Sequence, residues 1–204
     1  SRRVPQVAVR WGDMKDVFKS HTTELGESAE RADSFHDEVL AVVKELKKAY
    51  EHGNKVLIAG NGGSAAEAQH FSDEMLGRYR ADRPCYPAVA LTADTAAITC
   101  IGNDYGYEHV FRRQVEALGK EGDIFIGLTT SGTSKNILLA AEEAKKKGMI
   151  VVALTGPNGE FKDSADYAIK SPSEKASIMQ EFHLHAIHLI CEAFEPEHVG
   201  KELN

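Results

Sequence analysis

Two periods of apolar residues alternate along this chain. Phe35, Val39, Val42, Val43, Leu46 and Tyr50 recur every three to four positions, which predicts a helix, with Asp33 or Ser34 to cap its start and Gly53 to end it. The stretch before it, 14–31, is polar but helical in pattern and reads as a packing arm. Two helices therefore precede the first strand. From there, short apolar runs alternate with helical patterns. KVLIAG (55–60), PAVALT (87–92), DIFIGLT (123–129) and MIVVALTG (149–156) read as buried strands, and DYAIKSP (166–172) as a short fifth. Helices are predicted over 64–76, 94–101, 107–118, 134–147 and 174–194. Strands that are apolar throughout and separated by helices imply an α/β fold, a parallel sheet covered on both faces. Ligands of such sheets sit beyond the carboxyl ends of the strands.

Two loops at those ends carry candidate chemistry. Gly60-Asn61-Gly62-Gly63-Ser64-Ala65 follows a strand and opens a helix. Glycine lets the backbone approach an anion closely, and a helix N-terminus offers free N–H groups. The same letters fit the dinucleotide fingerprint GxGxxA. That reading also wants an acid at the end of the second strand, where this chain has Ala90-Leu91-Thr92 and only then Asp94. A turn used only for packing is the third reading. The second loop, Thr129-Thr130-Ser131-Gly132-Thr133-Ser134, sets five hydroxyls around one glycine. Capping by Thr133 or Ser134 needs one hydroxyl; five fit a phosphate held by hydrogen bonds.

His70 and Glu74 are four residues apart, on one face of a helix. The last helix carries Gln180, His183, His185 and His188, with Gln180, Leu184 and His188 stepping along a face apart from the apolar stripe of Ile178, Phe182, Ala186, Leu189 and Ala193. A solvated pair and a satisfied core histidine are the bland readings. Histidine and glutamate from one helix with glutamine and histidine from another could instead ligate a metal or work as an acid–base pair.

Composition narrows the classes. The chain has 204 residues, enough for one domain with a real core; 42% are hydrophobic and 27% charged, so disorder is not expected. With 31 acids against 24 bases the net charge is −7, which argues against a general nucleic-acid binder but not against a small anion held locally. Cys85, Cys100 and Cys191 are odd in number and lack CxxC spacing, which favours a reducing cytoplasm over a disulfide framework. No apolar run approaches the ~20 residues of a membrane span. The N-terminal SRRVPQVAVRWGDMKD is basic without an apolar centre and reads as a chain end, not a signal peptide.

Taken together, GNGGSAAEAQHFSDEMLGRY, IGNDYGYEHVFRRQ, TTSGTSKN and QEFHLHAIHLICE resemble the phosphoheptose isomerases (sedoheptulose-7-phosphate isomerases) of the sugar-isomerase, or SIS, domain superfamily. The resemblance runs from about Phe35 to Glu195 with four motifs in order. It implies a flavodoxin-like αβα sandwich with about five parallel strands, an arm at 1–32 leading into a sugar-isomerase domain at 33–204 as one structural unit, and a homotetramer. It also implies conversion of sedoheptulose 7-phosphate to D-glycero-D-manno-heptose 7-phosphate, for lipopolysaccharide or other surface glycans. One zinc ion per subunit is implied, on His70, Glu74, Gln180 and His188. Implied substrate contacts are Asn61, Gly62, Gly63, Ser64, Asn103, Asp104, Thr129, Thr130, Ser131 and Ser134, with Glu74 and Gln180 also facing the sugar. Non-enzymatic members of the superfamily bind a replication initiator or sense a sugar phosphate, and would not need the acid–base pair.

The chain departs from the family pattern at Thr133, where asparagine is usual, at Ala176 and Ile178, where threonine and arginine are common, and at Pro157 and Phe161. These departures bear on which sugar phosphate is used. For the chemistry, Glu74 is the expected base at carbon and His188 the acid–base partner at the sugar oxygens. Gln180 and His188 are separated by ~12 Å along a straight helix. That separation suggests a site near a subunit boundary, with at least one group from a neighbouring chain.

Overall fold

The computed structural model describes residues 11–199. The reading of residues 1–10 as a chain end lies outside them. Two helices, α1 (Trp11–Glu30) and α2 (Asp33–Glu51), lead into β1 (Val56–Gly60), α3 (Gly63–Leu76), β2 (Ala88–Ala90) and α4 (Thr95–Tyr105). Then follow α5 (Arg112–Leu118), β3 (Ile124–Thr129), α6 (Lys135–Lys146), β4 (Ile150–Thr155), α7 (Phe161–Ser164), β5 (Tyr167–Lys170) and α8 (Ala176–Glu192).

Three local expectations are corrected. Neither Asp33 nor Ser34 caps α2: the helix already includes Asp33, and Ala32 stands at its cap with no side-chain bond. Gly53 does follow the helix end, at φ +76°. The single helix expected over 107–118 is broken, with a 3-10 turn at Tyr107–His109 before α5. There Val110 and Phe111 turn into the core. The one-turn α7 was not expected.

All five strands are parallel, in the order β2-β1-β3-β4-β5. Successive strand residues point to opposite faces, and the core divides accordingly. Ile58, Ile126, Val152 and Leu154 meet Val42, Leu46, Phe71, Met75, Phe182 and Ala186 from α2, α3 and α8. Leu57, Phe125, Val151 and Ala153 meet Val115, Ile137, Ala140, Ala144 and Phe161 from α5, α6 and α7. The chain leaving β1 thus covers one face and the chain leaving β3 covers the other. Between two such neighbours a crevice opens at the carboxyl ends, where ligands of open α/β sheets bind. Both loops singled out in the sequence lie there.

Candidate active site

The first loop is shaped by close approach. Gly62 sits at φ +57°, which glycine adopts without steric cost. A Cβ on Gly63 would lie 2.6 Å from Gln180 Nε2, so α8 presses its glutamine against the start of α3. Further along the same seam His70 Nε2 lies 3.0 Å from His188 Nε2, and further still Met75 Sδ is 4.0 Å from Cys191 Sγ. The pairs advance together along both helices, so α3 and α8 run side by side in the same direction. Within one chain, α3 meets Gln180 at Gly63 and His188 at His70, seven residues further on, so His70, Glu74 and His188 come together while Gln180 stands at the start of α3.

His70 is the hub of a polar cluster. Its Nε2 is 3.6 Å from Glu74 Oε1, and its Nδ1 is 3.4 Å from Asp73 Oδ1. Glu74 Oε2 is buried with no partner. Two imidazole nitrogens facing each other need one proton between them, or two lone pairs turned on a cation. His70, Asp73 and Glu74 can converge on one ion. An orphaned carboxylate oxygen and two facing imidazoles fit a divalent metal of the zinc class. Asp73 was missed in the sequence, although its i, i+3 spacing to His70 was there to be read.

Glu67, also missed, lies one turn before His70. Its Oε2 is buried without a partner. Burial pushes its carboxyl up to about 7, against a lowering hydrogen bond to the buried Ser64.

The hydroxyl loop is knitted to itself. Thr129 Oγ1 lies 3.0 Å from Ser134 Oγ and 3.3 Å from Ser131 Oγ, and it accepts the Gly132 N–H at 3.2 Å. Thr133 donates both its N–H and its hydroxyl to Ser131 Oγ at 3.2 Å. Ser134 stands at the N-cap of α6 but makes no capping bond with its side chain. The first N–H groups of that helix are left without a side-chain cap. Thr130 is half-buried and Ser131 exposed.

The two loops are joined by a residue that sequence reading passed over. Asn61 and Asn136 exchange reciprocal amide hydrogen bonds of 2.9 and 2.8 Å, and Tyr107 donates its hydroxyl to Asn61 at 2.9 Å. Asn103 and Asp104 lie exposed on α4, bonded to each other at 2.7 Å. Among the described residues, no hydrogen bond ties them to either loop. His183 and His185 leave the cluster. His185 stacks on Phe35. His183 is fully buried, and desolvation drives it down to about 4, partly offset by the Thr155 backbone.

The SIS domain family model matches residues 21–156. A phosphoheptose isomerase from Aneurinibacillus thermoaerophilus is 46% identical over 187 residues, 89% of this chain and 94% of the relative. Phosphoheptose isomerase 2 of Campylobacter jejuni is 51% identical over 158 residues, covering 77% and 79%. The solved phosphoheptose isomerase of Francisella tularensis superposes with a TM-score of 0.85 at 38% identity, over 89% of this chain and 97% of that one. This chain belongs to the phosphoheptose isomerases of the SIS domain family.

Against that family, the departures fall in different places. Ile178 and Phe161 are fully buried core residues. Ala176 is exposed at the start of α8. Thr133 enters the loop network through its bonds to Ser131, and Phe161 reaches it by donating its backbone N–H to the Gly132 carbonyl at 3.1 Å.

Proposed function

We propose that this isomerase interconverts sedoheptulose 7-phosphate and D-glycero-D-manno-heptose 7-phosphate, at the entry to heptose for surface glycans. The observation that carries the reading is the convergence of His70, Glu74 and His188 on the α3–α8 seam, which opens at the glycine loop and so at the sheet end that bears the hydroxyl loop. In this account Thr129, Ser131 and Ser134, with the uncapped start of α6, hold the phosphate. Glu74 takes a proton from C1 of the ketose and returns one to C2, through an enediolate. His188 carries the accompanying proton between the C1 and C2 oxygens. The orphaned Glu74 Oε2 is free for this work while Oε1 faces His70. Zinc held by His70, Glu74, Gln180 and His188 would polarise the carbonyl and stabilise the developing oxyanion. Neutral donors on Gly62, Gly63, Ser64 and Asn103 are assigned to sugar hydroxyls or phosphate, and the Asp104 carboxylate to accepting from a sugar hydroxyl, by family likeness alone.

We assign the chain to a homotetramer, with the arm at 1–32 as packing material. Support comes from apolar surface left open in one chain: Val17 and Phe18 on α1 are 56% and 62% exposed, and α4 buries no residue. The reducing cytoplasm is supported by Cys85, Cys100 and Cys191, all free. Among the described residues no helix is long and apolar enough to cross a membrane.

The test is incubation of zinc-loaded protein with sedoheptulose 7-phosphate, following aldose by NMR. Aldose formation supports the reading. A raised melting temperature with the sugar phosphate but no aldose would mark a binding protein that regulates instead. Subunit sharing has its own test. Because one chain pairs His70 with His188 itself, mixed oligomers of Glu74→Ala and His188→Ala stay inactive; recovered activity would mean that those groups are shared across the boundary.

A further inference from the structure

The ligand set lies on two helices that share no loop, with His70 and His188 118 residues apart. Its geometry depends on what fixes α3 against α8. Apolar packing supplies contact but little directional control. The segment at 77–86, GRYRADRPCY, supplies direction. It leaves the C-terminus of α3 and crosses to the end of α8, where Glu195 waits, fully buried.

Glu195 accepts the Ala81 N–H at 2.9 Å through Oε2 and the Arg80 N–H at 3.3 Å through Oε1. Its Oε1 also lies 3.5 Å from Arg83 Nε, and the side chains of this ion pair are 1% and 0% exposed. Arg83 turns its other nitrogens back onto α3. Nη2 donates to the Glu74 carbonyl at 2.8 Å, and Nη1 reaches the Met75 carbonyl at 3.4 Å and the Pro84 carbonyl at 3.2 Å. The last carbonyls of a helix lack partners within it and carry partial negative charge, so a guanidinium there meets both needs. Tyr79, on the same segment, lays its ring 5.8 Å from that of His188.

One buried arginine thus grips the backbone of a candidate ligand, Glu74, and through Glu195 the helix that carries two others. Stability alone does not explain such a pair, because apolar residues of similar volume hold a fold about as well as a buried ion pair. What the pair adds is one allowed geometry. We propose that Arg83 and Glu195 form a brace that sets the spacing of His70 and Glu74 against Gln180 and His188, and through it the affinity and coordination geometry of the metal site. Both are positioning residues. The proposal rests on the assignment of those four side chains as the ligand set.

The test compares four zinc-free proteins: wild type, Arg83→Met/Glu195→Gln, Arg83→Lys and His70→Ala. Zinc affinity is measured by competition with a chromophoric chelator, and the absorption spectrum of bound Co2+ reports coordination geometry. The double variant removes both charges together, so neither is left buried alone. It is expected to keep the wild-type circular dichroism and a cooperative melt. Its zinc affinity falls about tenfold or more, on the scale of losses when groups supporting a metal's ligands are removed, and its Co2+ spectrum shifts. Arg83→Lys keeps the charge but not the fork of donors, and falls between. Wild-type affinity and spectrum in the folded double variant, with metal binding lost in His70→Ala, overturn the brace and leave the ligand set standing. Wild-type affinity in His70→Ala overturns the ligand set, and the brace with it. Should the double variant fail to fold, Arg83→Lys and Glu195→Gln decide the matter on the same two readings.

Discussion

The loop at 129–134 takes its hydroxyls from neighbouring residues of one turn, whereas the His70–His188 pair joins side chains 118 residues apart. The first region is neutral and organised by its own hydrogen bonds, with Thr129 and Ser131 each serving several partners. The second is ionisable and leaves Glu74 Oε2 without a partner. Its members meet because α3 and α8 lie side by side. Anchoring a phosphate takes donors that a short backbone segment can present by itself. Moving a proton takes groups of unlike chemistry at one point, and only tertiary structure brings those together. The contrast predicts that damage to the first region weakens binding and damage to the second stops turnover.

The largest effect is expected at Glu74. Glu74→Gln keeps the shape and removes the charge, and turnover falls at least ~100-fold, the scale of general acid–base catalysis, with little change in KM. Steady-state kinetics of the folded variant check this; near-normal turnover removes Glu74 from the chemistry. Next comes the metal. Chelation, or His70→Ala, lowers turnover by about the same order while a phosphorylated sugar still binds through the hydroxyl loop. Calorimetry after chelation checks that division, and equal loss of binding and turnover would merge the two regions into one.

A smaller effect is expected in the loop. Ser131→Ala weakens binding of the phosphorylated sugar by about 1.5–3 kcal/mol, the loss of a hydrogen bond to a charged group. The dephosphorylated heptose is unaffected, and equal losses for both would show that Ser131 does not meet phosphate. The smallest effect is on stability. Burial raises the Glu67 carboxyl to about 7 from its ordinary 4.5. The folded chain therefore holds a proton there that the unfolded chain has released across that interval, and stability falls as pH rises through it. Glu67→Gln is expected to raise the melting temperature by a few degrees at pH 8 relative to wild type and to leave it unchanged at pH 4. Identical differences at both values would show that Glu67 does not titrate in this window.

The same contrast governs what the sequence disclosed. The strand and helix alternation was legible because each buried strand is a continuous apolar run, such as Val56–Gly60 and Ile124–Thr129. The hydroxyl loop was legible because its members are neighbours. The four-residue α7 is too short for any period to show, and the break before α5 follows from burying Val110 and Phe111, which a helical pattern does not reveal. In the site, His70 and Glu74 could be paired by spacing. The Asn61–Asn136 exchange could not, since it spans 75 positions. Arg83 and Glu195 are ordinary charged letters until the fold buries both.

The central claim is proton transfer by Glu74 in an aldose–ketose isomerase, and turnover of sedoheptulose 7-phosphate in D2O tests it most directly. The account predicts that zinc-loaded wild type forms aldose carrying solvent deuterium at C2, seen as loss of the C2 proton signal in NMR, and that Glu74→Gln forms almost none. No aldose from the folded, zinc-loaded protein, or aldose formed by Glu74→Gln at the wild-type rate, would contradict it.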